Sequence, residues 1–379
     1  MRNPLFVIAL LTASALAGCV LPEPAGPRDE TPAGAYRAMG FNGTHWPDLE
    51  GARVTILSYD AFRSSFNKLA AQFTNLTNGT AVLITEEDTG RVLQRATLER
   101  GAPSFDVIYG IDNVLLGRAT RDGVFRAYEP TLASRIDPAF ALGPKWPATP
   151  VSHGYIAVNV DPRANLTIET LDDVRAHADR FVTEDPRTST PGLGFLIATV
   201  GVYGEDDDDD YLDYWKDLFD GGVLVTSSWT DAYVNHFTGG YGQWETGARV
   251  DRPIVTSYTT SPAYEMYYGY DTLNANVLAP NATFHQIQTM GVANGTKNLA
   301  AAEAWIEFTL TDAFQATLAE QEAIYPVARS VSVESVFAGR DPAPGTFQPA
   351  PFDVATLDAK VEGWVRAWTD LYERHRASA

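Results

Sequence analysis

The stretch Asp185-Pro-Arg-Thr-Ser-Thr-Pro-Gly-Leu-Gly-Phe-Leu196 changes within a dozen residues from turn-forming polar residues to an apolar run. Ser189 and Thr190 are residue types that cap helices, and Pro191 suits a first helical turn. The apolar residues at 193–200 predict the body of a buried helix. The first backbone N–H groups of such a helix have no partner within it, and small residues let a ligand approach them. The stretch therefore predicts either an ordinary capped helix or a helix whose start binds phosphate or carboxylate.

Strand-like and helix-like patterns alternate on both sides of this stretch. Short apolar runs bounded by turn residues predict buried strands at 53–58, 80–85, 105–109, 154–159, 180–182, 222–226, 254–258 and 286–290. Apolar residues at helical spacing predict further helices over 62–73, 91–100, 300–320 and 354–374. Strands that alternate with helices form mainly parallel sheets with covered faces. The predicted fold class is therefore α/β.

The composition narrows the classes of function. The 379 residues include 28 basic and 48 acidic ones, which gives a formal net charge of -20 at pH 7. Such a surface repels nucleic acids and anionic lipids, so we expect no nucleic-acid partner. Lysine is rare among the basic residues, and an acidic, lysine-poor surface predicts adaptation to high salt, which screens repulsion between carboxylates. Acidity for solubility alone is the alternative.

The N-terminal residues predict export. Residues 1–18 combine one basic residue with an apolar run that is too short to span a membrane comfortably, as in a secretory signal peptide. Leu16-Ala-Gly-Cys19 resembles a lipobox, so we expect cleavage before Cys19 and lipidation of its sulfur. Cys19 is the only cysteine, which excludes a disulfide within this chain. Residues 19–50 are predicted to be the anchor site and a flexible tether.

Three more stretches, combined with 185–196, resemble one family. They are Ser58-Tyr-Asp-Ala-Phe62, Tyr109-Gly-Ile-Asp-Asn113 and Ser257-Tyr-Thr-Thr-Ser-Pro-Ala-Tyr264. In this order, from about Val54 to Val327, the chain resembles the thiamine-binding proteins, which are extracytoplasmic solute receptors of ABC importers. The resemblance implies a two-lobed fold of the periplasmic-binding-protein type II class. A mixed, mainly parallel sheet flanked by helices would form each lobe.

The resemblance also implies how the chain divides. The first lobe would comprise 51–152 and about 260–305, and the second lobe 153–259 and about 306–379. Two linking segments, near 150–156 and 257–265, would form the hinge. A receptor of this kind closes its lobes on a ligand and presents the closed form to a permease, so no catalysis is expected.

The chemistry of thiamine defines what a matching pocket needs. Thiamine joins an aminopyrimidine ring to a cationic thiazolium ring, and its phosphate esters add negative charge at the far end. Aromatic faces attract the cationic ring. The resemblance, carried over residue by residue, implies that these faces come from Tyr59, Trp229, Tyr258 and Tyr264, with Phe66 as a further ring.

The remaining residues implied by the resemblance are polar. Asp112 and Asn113 match an Asp-Asn pair of the family and would lie beside the charged or amino-bearing part of the ligand. Ser189, Thr190 and the backbone through Gly192 would hold its hydroxyl or phosphate end.

The chain departs from the family at two aromatic positions. Phe66 stands where the family has a tryptophan, and Ala323 stands where the family has another, two residues before Tyr325-Pro-Val-Ala328. One stacking wall is therefore expected to be missing. The choice among thiamine, its monophosphate and its diphosphate stays open.

Two other functions are compatible with parts of the sequence. A ferric-ion receptor would use tyrosine pairs such as Tyr267-Tyr268 as oxygen ligands, but leaves the stretch at 185–194 unexplained. A thiamine-degrading enzyme would need a cysteine nucleophile, and Cys19 lies in the predicted signal region. The expected protein is a monomeric receptor, lipid-anchored on the outer face of the cell membrane. Its partners would be thiamine or a thiamine phosphate, the ABC permease and, through it, the ATPase, with no cofactor and no metal.

Overall fold

The computed structural model describes residues 34–142, 146–206, 208–237, 252–267, 275–332 and 346–378. The predicted signal peptide and Cys19 lie outside these residues. The strands are β1 (Arg53–Tyr59), β2 (Thr80–Glu86), β3 (Val107–Asp112), β4 (Phe125–Arg126), β5 (Thr149–Val160), β6 (Phe181–Glu184), β7 (Leu224–Thr226), β8 (Ile254–Tyr258), β9 (Ala275–Val277), β10 (Phe284–Ala293) and β11 (Tyr325–Pro326). They form one mixed sheet in the order β2-β1-β3-β10-β5-β8-β6-β7, in which β4 pairs with β10, and β9 and β11 pair with β5.

Pairing in the sheet is parallel towards both ends and antiparallel in the middle. The strands β1, β2 and β3 pair in parallel, as do β6, β7 and β8. The strand β10 runs antiparallel to both β3 and β5, and β5 runs antiparallel to β8. The sheet is thus mixed and mainly parallel within each end, as predicted.

Helices cover the sheet on both faces. They are α1 (Ala35–Ala38), α2 (Arg63–Thr77), α3 (Thr89–Leu98), α4 (Leu116–Arg121), α5 (Leu171–Ala176), α6 (Thr190–Tyr203), α7 (Tyr211–Asp220), α8 (Ser261–Tyr267), α9 (Leu299–Thr309), α10 (Asp312–Glu322) and α11 (Val354–Ser378). A π-helix covers Thr230–Phe237. Within the described ranges, no helix is both long and apolar enough to cross a membrane.

The two ends of the sheet carry separate hydrophobic cores. The first core joins β1, β3 and β10 to α2, α9 and α10, and the Trp305 ring packs on Phe73 with centroids 5.0 Å apart. The second core joins β5, β6 and β8 to α6, α7 and α11, where Trp215 and Trp368 meet edge to face at 5.4 Å. Each core buries aromatic rings that contribute more apolar area than any other residue type.

Two strands pass from one core to the other. In β5, Val151 lies in the first core and Ile156 in the second; in β10, Phe284 lies in the second core and Met290 in the first. The predicted link near 150–156 therefore lies in β5. The strand β10 also crosses. The predicted second link at 257–265 stays a prediction, since Tyr258 packs on the second core whereas Ala263 packs with Ala323 and Tyr325.

The folded body begins before the predicted position. Tyr36 is fully buried, and its backbone N–H donates to Glu303 Oε2 at 2.8 Å. Its ring stacks on Phe41 with centroids 5.2 Å apart, and Leu49 is buried in the same core. The predicted tether over 19–50 is therefore too long, since apolar side chains from Tyr36 onward pack against α9.

The segment 306–323 also differs from its prediction. Ile306, Phe308, Phe314 and Leu318 belong to the first core, so α10 does not lie with the second lobe as predicted. The helix predicted over 300–320 is two helices, because the Thr311 side chain accepts a hydrogen bond from the Phe314 N–H and caps a new start. The remaining lobe boundaries stay predictions.

Candidate functional site

A cavity of about 500 Å³ opens where the two halves of the sheet meet. This volume lies in the range of pockets that hold small organic ligands. Its lining comes from the ends of β1 and β8, the starts of α3 and α6, the π-helix, β10 and the end of α10. Open α/β sheets bind ligands at this kind of edge, because the carboxyl ends of parallel strands leave a crevice there.

The start of α6 is held by the turn that precedes it. The Asp185 carboxylate accepts hydrogen bonds from Arg187 Nε at 2.9 Å and Nη2 at 2.6 Å, and the Asp185 carbonyl accepts from the Ser189 N–H at 3.0 Å. Gly192 lies against the last residue of β6, where a Cβ would come 2.3 Å from the Glu184 carbonyl oxygen. A larger residue would push the helix away from the strand. The first turn of α6 is thus fixed against β6.

Ser189 and Thr190 line the cavity at this helix start. Ser189 is the N-cap residue, as predicted, but its side chain makes no capping hydrogen bond. The first N–H groups of a helix lack partners within it, and the helix dipole favours negative charge beside them. The arrangement can therefore bind a hydroxyl group or an anion.

Trp229 and Tyr258 line the cavity on the side of the second core. The Trp229 ring stacks on Tyr233 with centroids 4.8 Å apart, and its Nε1 donates to Ser257 Oγ at 2.8 Å. Tyr233 OH donates in turn to the buried Glu265. Because these contacts fix the indole ring, Trp229 presents a preorganised aromatic surface to a ligand.

Tyr59 lines the cavity on the side of the first core. Its ring lies over Gly110, where φ is +103° and a Cβ would come 2.6 Å from Tyr59 Cδ1. Glycine at 110 therefore suits both the backbone conformation and the ring above it. Tyr59 OH lies 3.1 Å from Gln288 Oε1 and 3.1 Å from Glu322 Oε2.

Acidic residues dominate the electrostatics of the cavity. Asp60, Glu87, Asp88 and Glu322 line it, and its described lining contains no lysine, arginine or histidine. Desolvation raises the pKa of Glu322 to about 7, whereas hydrogen bonds from Ser65 and Tyr59 act in the opposite direction. A crevice with charges of one sign concentrates ligands of the other sign. This cavity therefore favours a cationic ligand.

Asp112 and Asn113 do not line the cavity; both are buried at the end of β3. The Asp112 carboxylate accepts from the Val114 N–H at 3.0 Å and from Gln286 Nε2 at 3.1 Å. Asn113 Oδ1 accepts from the Ile287 N–H of β10 at 2.9 Å. Desolvation raises the pKa of Asp112. Because Gln286 lines the cavity, this hydrogen bond connects Asp112 to the lining.

Other predicted residues lie away from the cavity or outside the described chain. Phe66 is buried in the first core, with its ring 6.1 Å from Trp305, and does not line the cavity. Gly192 is buried at the helix start and contributes no lining side chain. Ala323 does line the cavity, so this departure from the family falls in its wall. The side chains of Tyr264 and of the pair Tyr267-Tyr268 lie outside the described part.

Several lining residues were not predicted from the sequence. Gln286 and Gln288 alternate with Ile287 in β10, and this period of two could have indicated a polar face at the sheet edge. Tyr233 follows Trp229 by four residues, a helical spacing that could have paired them. Glu322 carries no local signal, because an acid at the end of a helix is ordinary in sequence.

The chain is similar to known solute-binding proteins. A family model described as bacterial extracellular solute-binding protein matches residues 54–321. The thiamine-binding periplasmic protein of Escherichia coli (strain K12) is 28% identical over 333 residues, which cover 85% of this chain and 94% of that protein.

Solved structures extend the comparison to the fold. A periplasmic thiamin binding protein matches with a TM-score of 0.71 and 26% identity, covering 86% of this chain and 98% of its own. Iron-bound HitA from Pseudomonas aeruginosa matches with a TM-score of 0.65 and 16% identity, over 84% of this chain and 99% of its own. At that identity the second likeness concerns the fold alone.

Proposed function

Because this chain belongs to the family of bacterial extracellular solute-binding proteins, we propose that it is an extracytoplasmic receptor that binds thiamine and delivers it to an ABC importer. The composition of the cavity carries the proposal: aromatic side chains and four acidic residues line it, and no basic residue does so in the described part. A cation over an aromatic face gains roughly 0.5–2 kcal/mol. The thiamine-binding relative from Escherichia coli supports the same ligand.

The two ends of thiamine suit different parts of the cavity. The thiazolium ring would lie against the aromatic and acidic side chains, and the hydroxyl or phosphate end would lie at the start of α6. A phosphate gains there from the helix dipole, but each added negative charge is repelled by the acidic lining. We therefore expect thiamine and its monophosphate to bind more tightly than the diphosphate.

Calorimetric titration of the purified full chain in molar potassium chloride tests the proposal. Thiamine, thiamine monophosphate, thiamine diphosphate and ferric ion would be added separately. We expect one thiamine to bind per chain and ferric ion to bind weakly or not at all. Absence of thiamine binding, or tighter binding of ferric ion, would refute the proposed ligand.

A ferric-ion receptor is the alternative that the fold leaves open. Among the described residues, no group of three or more His, Cys, Asp or Glu side chains is arranged to hold a metal ion. The likeness to an iron-bound protein at 16% identity supports only the shared architecture. The ferric arm of the titration separates the two ligands.

The location and partners follow from the same proposal. The receptor would work on the outer face of the cell membrane as a monomer, held there by a lipid on Cys19, and would pass its ligand to a permease and the associated ATPase. It would bind its ligand without catalysis, cofactor or metal. The lipobox-like stretch Leu16–Cys19 supports the anchor.

A further inference from the structure

Glu322 occupies an electrostatically unfavourable position for an acidic side chain. It is the last residue of α10, where the helix dipole disfavours negative charge, and it lines the cavity. Ser65 Oγ donates to Glu322 Oε1 at 2.7 Å, and Tyr59 OH lies 3.1 Å from Oε2. Both hydrogen bonds favour its charged form, and no lysine, arginine or histidine belongs to the described lining of the cavity.

The hydrogen-bond pattern at this end of the cavity accommodates a neutral Glu322. Gln288 Oε1 accepts from Tyr109 OH at 2.8 Å and lies 3.1 Å from Tyr59 OH. Tyr59 has a single hydroxyl hydrogen, which cannot serve Gln288 and an ionised Glu322 at once. A neutral Glu322 donates its own hydrogen to the Tyr59 oxygen, and Tyr59 then donates to Gln288. Desolvation, which raises the pKa of Glu322 to about 7, favours the same neutral form.

The groups that face Glu322 do not release the proton in its place. Desolvation raises the pKa of the three facing tyrosines, which stay neutral: Tyr59 on β1, Tyr109 on β3 and Tyr258 on β8. An ion pair at the surface joins Lys68 of α2 to Glu320 of α10 at 3.1 Å, where Lys68 is exposed and Glu320 is partly exposed. The other acids that line the cavity, Asp60, Glu87 and Asp88, lie on the segments after β1 and β2.

We propose that Glu322 is the carboxylate that meets the cationic ring of the ligand and that it releases its proton when the ligand binds. This inference rests on the proposed function, since it requires a cationic ligand. In the free protein the carboxyl group is mostly neutral below about pH 7; when the cation enters, the proton passes to bulk buffer and the negative charge remains on Glu322. Tyr59 OH then turns to donate to the carboxylate.

The neighbouring residue, Ala323, affects how the ligand reaches Glu322. Ala323 also lines the cavity, at the position where the family that the chain resembles has a tryptophan. The small side chain leaves the end of α10 open to the ligand. The negative charge that Glu322 gains on binding thus replaces part of the attraction that a stacked tryptophan would provide.

Calorimetry in two buffers of different ionisation heat, between about pH 6 and pH 8.5, measures the released protons. We expect nearly one proton per thiamine at pH 6 and almost none at pH 8.5, with affinity rising about tenfold per pH unit below pH 7 and then levelling. Glu322→Gln keeps the shape and loses the charge. This variant should release no proton and bind thiamine about 10–100-fold more weakly than wild type at pH 8.5.

A neutral ligand and a neighbouring acid provide the controls. Thiochrome, the neutral tricyclic oxidation product of thiamine, should bind wild type without proton release and should not distinguish it from Glu322→Gln. Glu320→Gln removes an exposed acid two residues away and should keep the wild-type proton count. Ligand-free melts check folding: because the raised pKa of Glu322 means that its stabilisation is lost as pH rises through 7, Glu322→Gln should melt no lower than wild type at pH 8.5.

The outcomes separate this inference from the proposed function. Thiamine binding to wild type with equal heats in both buffers at pH 6 would overturn the inference and leave the receptor intact. The same proton count in Glu322→Gln would assign the proton to another group and would also overturn it. Failure of thiamine to bind wild type at any pH would refute the proposed function, and the inference with it.

Discussion

The contacts of single side chains distinguish ligand-binding aromatics from structural ones. Trp229 lines the cavity, whereas Trp46 packs on Phe41 with centroids 4.8 Å apart, away from it. We expect Trp229→Ala to weaken thiamine binding by about 1–2 kcal/mol, since stacking on the cation is lost. Trp46→Ala is the matched control and should lower the Tm without changing the Kd. Equal effects of both substitutions on the Kd would contradict a binding role for Trp229.

Ser189 and Thr170 differ in the same way at two helix starts. Thr170 caps α5 through a reciprocal hydrogen bond with Asp173, whereas the Ser189 side chain caps nothing. Ser189→Ala should therefore leave stability nearly unchanged and weaken thiamine monophosphate by roughly 1.5–3 kcal/mol, more than unphosphorylated thiamine. Thr170→Ala should cost about 1 kcal/mol of stability and leave binding unchanged. Titration and urea unfolding of both variants check the two halves of this prediction.

Residues of the site were predictable where local chemistry marks them. Ser189 stands at a helix start that the preceding turn residues predict, and Tyr59 ends a buried strand. The sequence pattern and the resemblance therefore identified both as residues that line the cavity. Phe66 obeys the helical spacing of α2, and that spacing buries it in the first core instead. Glu322 depends on how α10 ends relative to β1 and β10, which are far away in sequence. Its position follows from tertiary packing alone.

Two helical glycines differ in the space that a larger side chain would have. A Cβ at Gly192 would lie 2.3 Å from the Glu184 carbonyl oxygen, whereas Gly363 lies on the exposed face of α11 with open space around it. Gly192→Ala should destabilise the fold by about 1–3 kcal/mol and weaken ligand binding, because the start of α6 must move. Gly363→Ala should stabilise it by about 0.5–1 kcal/mol. A stabilising Gly192→Ala, measured by urea unfolding, would show that α6 does not depend on this contact.

Most strands and helices were predictable from the sequence, whereas the contacts between them were not. The strands β1, β2, β6 and β8 lie within a residue or two of their predicted positions, because buried runs bounded by turn residues are local signals. The break between α9 and α10 is also local, since Thr311 caps α10, but the continuous apolar spacing across 300–320 concealed it. The docking of α10 on the first core, however, is set by contacts with α2.

The crossing strands β5 and β10 carry a histidine pair, of which His153 is buried and His285 is partly buried. His285 Nε2 lies 3.2 Å from His153 Nδ1, and desolvation lowers the pKa of His153 to about 3 and that of His285 to about 4. An unfolded histidine titrates near pH 6.5, so the unfolded chain binds more protons between about pH 6.5 and 4. Stability should therefore fall as pH drops through this window, by about 1.4 kcal/mol per pH unit for each histidine.

Urea unfolding between about pH 7.5 and pH 4.5 checks this dependence. The double variant His153→Gln/His285→Gln should show a shallower slope, because the two protons that the pair takes up on unfolding are no longer bound. His45→Gln, at an exposed position, should keep the wild-type slope. Equal slopes in all three proteins would mean that the histidine pair does not contribute to the pH dependence of the free energy of unfolding.

The charge of the whole molecule determines how it responds to salt. Ion pairs such as those of Arg175 with Asp172 and Asp209 lose attraction as salt rises, but each exposed pair contributes only about 0–1 kcal/mol. The net charge of -20 leaves many carboxylates without a cation, and their repulsion is screened as the Debye length falls from about 10 Å at 0.1 M to about 3 Å at 1 M. Screening of repulsion should therefore outweigh the weakened pairs.

Thermal melts at pH 7.5 should accordingly show a Tm that rises steeply from 0.1 M to 2 M potassium chloride. Salts that are excluded from the protein surface also strengthen apolar burial, so the same series near pH 5 serves as control. Close to the sequence pI of about 4.6 the net charge nearly vanishes, and the rise caused by screening should shrink with it. A Tm that is independent of salt at pH 7.5 would contradict adaptation to high salt. A rise of the same size at both pH values would assign the effect to apolar burial instead of charge.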